Sequence, residues 1–119
     1  MLTLQARKSK SLSGSLTLPG DKSISHRSLI LGTLARGTTR VKGLLEGADV
    51  MSTASALRQL GGQISREEDG TWRVDGIGLN AFAEPAEPLD LGNSGTGARL
   101  LMGAVAGSGI TAIFTGDAS

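Results

Sequence analysis

The sequence predicts an α/β chain of the α+β kind, built from repeated β-α-β-α-β-β units of which about one and a half are present. Three observations predict it. Helix-period and strand-period segments alternate along the 119 residues. Glycine pairs and Asp-Gly steps punctuate the boundaries. The pattern then restarts: Gly20-Asp21 and Arg27 are matched 72 residues later by Gly92-Asn93 and Arg99. An internal repeat sets the architecture before any single element does.

Taken in order, "SGSLTLPG" (13–20) reads as a short strand running into a Pro-Gly turn. From Ser23 the pattern is helical, with Ile24, Leu31, Leu34 and Ala35 on one side, widened by Leu29 and Ile30. Gly37 is the expected stop. "TTRVKG" follows as a strand. Asp49 is the expected cap of a second helix, with Val50, Ala54, Leu57 and Leu60 on its buried face and Gly61-Gly62 at its end. "QISREEDGTWRVDG" predicts a hairpin turning at Asp69-Gly70, with the acidic run Glu67-Glu68-Asp69 solvated at its tip. "NAFAEPAEP" (80–88) is a connector, since its prolines oppose helix and weaken strand. The remainder predicts a short strand, a turn, a helix ending near Gly107, and a strand leading to Gly116-Asp117. A half unit leaves an open sheet edge and an apolar helix face, so the chain is expected to be one piece of a larger assembly.

Composition removes several function classes. Aromatic residues make up 3%, with no Tyr, so stacking platforms for single-stranded nucleic acid are not expected. The formal net charge of +1 creates no field to steer DNA or a membrane surface. The absence of cysteine excludes disulfides, thiolate metal sites and Cys nucleophiles, and fits a reducing compartment. No apolar signal core follows Met1, and the apolar stretch from Leu100 to Ala106 is too short for a bilayer. A cytoplasmic chain is expected, without metal, since no His, Asp or Glu set has ligand spacing.

The chemistry sits at the two repeated helix starts. A helix N-terminus presents unpaired N–H groups and the positive end of the dipole, which suits an anion. In the first copy Asp21 or Ser23 can cap, Lys22 adds a mobile charge, and Ser23 adds a hydroxyl. Arg27 lies one turn beyond Ser23, where a guanidinium can grip a carboxylate or phosphate in bidentate fashion. The Gly-rich phosphate loop of the GxxxxGK[ST] type is missing. In the second copy, "GNSGTGAR" puts Gly95 and Gly97 in the first turns of a helix, where each costs about 1 kcal/mol relative to Ala. Close approach of a ligand to the backbone explains them, and tight packing of the helix is the alternative. Asn93 reads as a cap, with ligand contact as the further reading; Arg99 either lines the site or pairs within the domain. The lone His26 has no partner that sequence can name and reads as a partly buried helix residue rather than a general base.

Together "LPGDKSISHR", "LLEGAD", "LGNSGTGAR" and "GDAS" resemble the 5-enolpyruvylshikimate-3-phosphate synthase family, over about Leu16 to Ser119. The resemblance implies the enolpyruvyl transferase inside-out barrel, with residues 1–19 carrying a first strand that belongs to the other domain. Residues 20–119 would form the N-terminal, incomplete part of the substrate-binding domain. It implies transfer of the enolpyruvyl group of phosphoenolpyruvate to the 5-hydroxyl of shikimate 3-phosphate in aromatic amino acid biosynthesis, with no metal or organic cofactor. By this resemblance Lys22 is catalytic and contacts both substrates. Ser23 and Arg27 hold shikimate 3-phosphate, and Gly95, with Asn93, Thr96 and Arg99 in the same segment, lies against phosphoenolpyruvate. Members with glycine at the Gly95 position tend to be sensitive to glyphosate. Leu100 stands where many members carry proline, and the subgroup with leucine there often has alanine in place of Gly95, so this chain mixes the two signatures. The family carries an arginine shortly after "GDAS" and further carboxylates and basic residues later, so this chain alone is expected to be inactive and to need the C-terminal remainder, in the same or a second chain. The cell-wall UDP-N-acetylglucosamine enolpyruvyl transferase and a non-catalytic anion-binding module of the same fold are the alternatives.

Overall fold

Residues 2–19 form neither helix nor strand and lie exposed, with Leu16 and Leu18 about three-quarters accessible (78% and 76%). The structure is a computed structural model, and it describes residues 2–118. The strand expected over 13–20 is therefore not formed. A strand is stabilised by a neighbour's ladder, and no sheet edge of the described residues pairs with this segment.

The first element is α1 (Lys22–Leu34). Asp21 caps it, its Oδ1 accepting from the Ile24 N–H at 2.8 Å, while Ser23 lies inside the first turn. The buried face corrects the expectation. It is Ser25, His26, Leu29, Ile30, Gly32 and Thr33, whereas Ile24 and Leu31 are exposed. Apolarity alone misplaced the face because its polar members are hydrogen-bonded inside the chain. Ser25 Oγ donates to Asp21 O and accepts from the Leu45 N–H, and Thr33 Oγ1 donates to Leu29 O. The helix ends at Leu34 with Ala35 as its cap, and Gly37, the expected stop, lies within the next strand.

That strand is β1 (Arg36–Val41), followed by α2 (Ala48–Gln59), β2 (Gln63–Arg66) and β3 (Trp72–Ile77). Asp49 does not cap α2. Gly47 holds the cap position without a side-chain hydrogen bond, and Asp49 lies in the first turn beside the positive dipole end. The predicted face of α2 is correct: Val50, Ala54, Leu57 and Leu60 are each 0% exposed. The sheet order is β1-β3-β2, antiparallel throughout, with Val41↔Trp72 and Arg66↔Trp72 closing the register. The hairpin turns where expected, Thr71 N–H donating to Asp69 Oδ1 at 2.8 Å. Its acidic tip is only partly solvated, because Glu67 pairs with Arg40 at 3.1 Å.

The second unit consists of β4 (Leu89–Asp90), α3 (Gly95–Ala106) and β5 (Phe114–Thr115), the two strands pairing in parallel across the helix. Subtracting the repeat distance, 95 − 72 and 106 − 72, maps α3 onto residues 23–34, nearly the span of α1. Leu29, Leu57, Val74, Leu89 and Leu101 are fully buried in one continuous cluster between the three helices and the sheets. Each such side chain contributes roughly 1.5–3 kcal/mol of transfer free energy. No helix among the described residues is long and apolar enough to cross a membrane.

Candidate functional site

The starts of α1, α2 and α3 converge. Lys22 Nζ, on the first residue of α1, lies 3.3 Å from Asp49 Oδ2 in the first turn of α2. One turn further along both helices, His26 Nδ1 lies 2.8 Å from Thr53 Oγ1. Both pairs span 27 residues, so α1 and α2 run parallel and in step at this end. The start of α3 joins them at Gly97. A Cβ built there would stand 2.7 Å from both Thr53 Oγ1 and Ser94 Oγ, and 3.4 Å from His26 Cε1. Gly97 is therefore a packing glycine, which settles its side of the alternative left open by sequence. The positive dipole ends of α1 and α2 lie side by side with Lys22 between them, an arrangement that favours an anion.

The glycine that opens each repeat serves a different need. A Cβ on Gly20 would collide with the Gly43 carbonyl oxygen, so the turn before α1 passes directly over the loop leading to α2. Gly92 has φ +53°, a left-handed backbone that the turn before α3 requires.

Each predicted site residue has a definite place. Lys22 is half-exposed (51%) and held by Asp49. Ser23 is half-buried. Arg27 is exposed and donates through a terminal guanidinium nitrogen to Ser23 O at 3.2 Å. Arg99 is also exposed, its guanidinium 3.8 Å from where a Cβ of Gly95 would stand. In both repeats, then, the arginine folds back over the residue four positions before it. Asn93 is exposed and does not cap α3. Ser94 does, its Oγ accepting from the Gly97 N–H at 3.1 Å. Asn93 and Gly95 line an open depression of about 390 Å³ floored by Leu91, Ala98 and Phe114, while Thr96 is half-buried in the first turn of α3. A Cβ on Gly95 would meet nothing closer than Arg99.

The depression at Gly95 and the Lys22 end of α1 are not walls of one cavity. Arg27 instead borders an apolar groove with Leu31, Leu34, Leu100 and Ala104. Sequence reasoning missed Asp49 as the partner of Lys22 and His26 as a fully buried contact. The common 27-residue spacing is the signal that marks both, visible only once α1 and α2 are known to be parallel. Burial holds the His26 imidazole below its ordinary pKa of 6.5; Asp49 opposes the shift, and Lys22 and Arg27 reinforce it. Among the described residues no group of three His, Cys, Asp or Glu is placed to hold a metal.

A family model described as EPSP synthase (3-phosphoshikimate 1-carboxyvinyltransferase) matches residues 6–119. The chain belongs to the EPSP synthase family. It is 63% identical over 118 residues to the 3-phosphoshikimate 1-carboxyvinyltransferase of Rhodopseudomonas palustris, covering 99% of this chain and 26% of that protein. It is 61% identical over 117 residues to the enzyme of the same name from Parvibaculum lavamentivorans, covering 98% and 26%. The solved EPSP synthase of Acinetobacter baumannii superposes with a TM-score of 0.83 at 44% identity, over 89% of this chain and 24% of that one. The chain thus spans about a quarter of the length of the EPSP synthases it matches. The mixed α/β architecture agrees with the enolpyruvyl transferase fold that the family resemblance implies.

Proposed function

We propose that this chain supplies one side of the active site of a 3-phosphoshikimate 1-carboxyvinyltransferase. In that reaction the 5-hydroxyl oxygen of shikimate 3-phosphate bonds to C2 of phosphoenolpyruvate. The bond from C2 to the phosphate oxygen breaks, inorganic phosphate leaves, and the hydroxyl proton is released. The observation that supports the reading is that Lys22 pairs the starts of α1 and α2 while the start of α3, with the Gly95 turn, packs against the same two helices one turn deeper at His26 and Thr53. Both substrates are anions, and preorganised dipoles and cations lower the energy of bringing them together.

The family resemblance supports the following residue roles, with which the placement is compatible. Lys22, steadied by Asp49, contacts both substrates and the reacting hydroxyl. Ser23 and Arg27, on one face of α1, hold shikimate 3-phosphate. Asn93, Gly95 and Thr96 offer the backbone of the α3 start to phosphoenolpyruvate, with Arg99 over Gly95. Residues 1–19 pass to the other domain, and 20–119 belong to the substrate-binding domain. The reaction needs no metal or organic cofactor. Further residues come from the C-terminal remainder of the enzyme, so this chain alone is inactive, and the complete enzyme works in the cytoplasm.

The test is phosphate release from the two substrates by this chain alone and by this chain mixed with the complementary C-terminal segment. Release only in the mixture is expected. No release in the mixture, with shikimate 3-phosphate still bound by the chain, would replace this reading with that of a non-catalytic anion-binding module.

A further inference from the structure

His26 is 0% exposed, yet its Nε2 has no hydrogen-bond partner. Its position explains why a polar ring is kept there. Nδ1 bonds Thr53 of α2, and Cε1 faces the one position of α3 where a Cβ cannot fit. The Gly97 amide on that side is the group that the Ser94 cap accepts from. One ring, carried on the helix that starts at Lys22, therefore touches α2 and bears on the cap of the helix that starts at Gly95.

We propose that His26 is a positioning residue that couples the two substrate-binding helix starts, holding α1 and α3 at the spacing both substrates need. The proposal rests on the reading that α1 takes shikimate 3-phosphate and α3 phosphoenolpyruvate. The ring acts neutral. The charged groups facing it are Lys22 and Arg27 from α1, which oppose a proton, and Asp49 from α2, which favours one. Through α3 it meets Gly97 and, beyond it, the Ser94 hydroxyl, neither of which titrates. A displaced α1 alone would disturb one substrate. A displaced His26–Thr53–Gly97 contact disturbs both, because the Ser94 cap shifts with Gly97.

The test uses the complete enzyme carrying this segment, with KM measured separately for each substrate and thermal stability followed alongside. His26→Leu is expected to raise both KM values about fivefold, the scale of one lost hydrogen bond. Thr53→Val is expected to do the same, and combining the two should add little. His26→Asn, whose amide can still bond Thr53, is expected to restore both KM values to within about twofold of the parent. Loss of stability alone lowers the active fraction and the apparent kcat but leaves KM in place. Thr53→Val carries the test where His26→Leu does not fold. A parent enzyme that turns over both substrates while Thr53→Val, and His26→Leu where it folds, leave both KM values unchanged, or move only one of them, overturns the coupling. A parent enzyme that releases no phosphate overturns the functional reading itself.

Discussion

The Lys22 ammonium lies 3.3 Å from the Asp49 carboxylate, and the same 27-residue step joins His26 to Thr53 one turn deeper. An exposed pair joins the two helix ends and a buried pair joins the helices one turn below it. The two layers separate experimentally, because surface pairs carry little stability while buried contacts carry much.

Asp49→Asn should leave stability within about 0.5 kcal/mol of the parent, since the pair is half in solvent. It should raise the KM for shikimate 3-phosphate several-fold by releasing Lys22 from its position. Denaturant melts and initial rates on the complete enzyme check both halves. A change in stability with no change in KM would make the pair structural only.

Lys22→Ala and Arg27→Ala each remove a charged donor from the α1 start. Each should weaken shikimate 3-phosphate binding in the complete enzyme about tenfold or more, as loss of a charge-assisted hydrogen bond does. Calorimetric titration reads the affinity directly, and unchanged affinity in both variants would remove α1 from the site.

The two glycines of α3 should separate cleanly. Gly97→Ala places a methyl 2.7 Å from two hydroxyl oxygens and should cost about 1–3 kcal/mol, lowering the melting temperature. Gly95→Ala meets only the Arg99 guanidinium at 3.8 Å. It should leave the melting temperature at or slightly above the parent's while weakening phosphoenolpyruvate, because the new methyl projects where the ligand would lie. Thermal melts paired with KM for phosphoenolpyruvate test the contrast.

His26 gives stability a definite pH dependence. Its folded pKa lies below the ordinary 6.5, so the unfolded chain binds its proton first as pH falls. Well above pH 6.5 both states are neutral and the residue contributes no slope. From about 6.5 downward stability should fall, and level off below the folded pKa. Denaturant midpoints of the parent should therefore drop between pH 7.5 and 5.5 more steeply than those of His26→Asn. Parallel curves would show that His26 does not titrate on unfolding.

Glu46 ties the loop before α2 to the hairpin, its Oε1 accepting from Arg66 Nε at 2.6 Å and from Trp72 Nε1 at 2.9 Å. Those bonds lower its pKa, so their contribution is present at neutral pH and is lost as pH falls through the folded value. Trp72 is the single tryptophan and is 5% exposed, which makes it a reporter. Glu46→Gln should shift its emission at neutral pH, and the parent should show the same shift on acidification.

Much of this molecule was determined by sequence alone. The 72-residue repeat located both helix starts, with α1 opening at Lys22 and α3 at Gly95. The face of α2 and the Asp69-Gly70 hairpin were legible because local periodicity and turn preference agree with the packing there. The family was legible too, since its motifs are contiguous runs. Tertiary structure alone decided the rest. Which face of α1 is buried depended on Ser25, His26 and Thr33 finding partners, two of them on distant segments, so apolar spacing placed Leu29 and Ile30 correctly but Ile24 and Leu31 on the wrong side. Asp49 looked like a cap and is instead the counter-ion of Lys22, and the cap of α3 is Ser94 rather than Asn93. The segment 13–20 has strand-like residues but no strand, because a ladder needs a second edge. Gly95 and Gly97 are two residues apart and look alike in sequence. Only the position of His26 and Thr53 across the helix distinguishes the glycine that makes room for a neighbour from the one that faces open space.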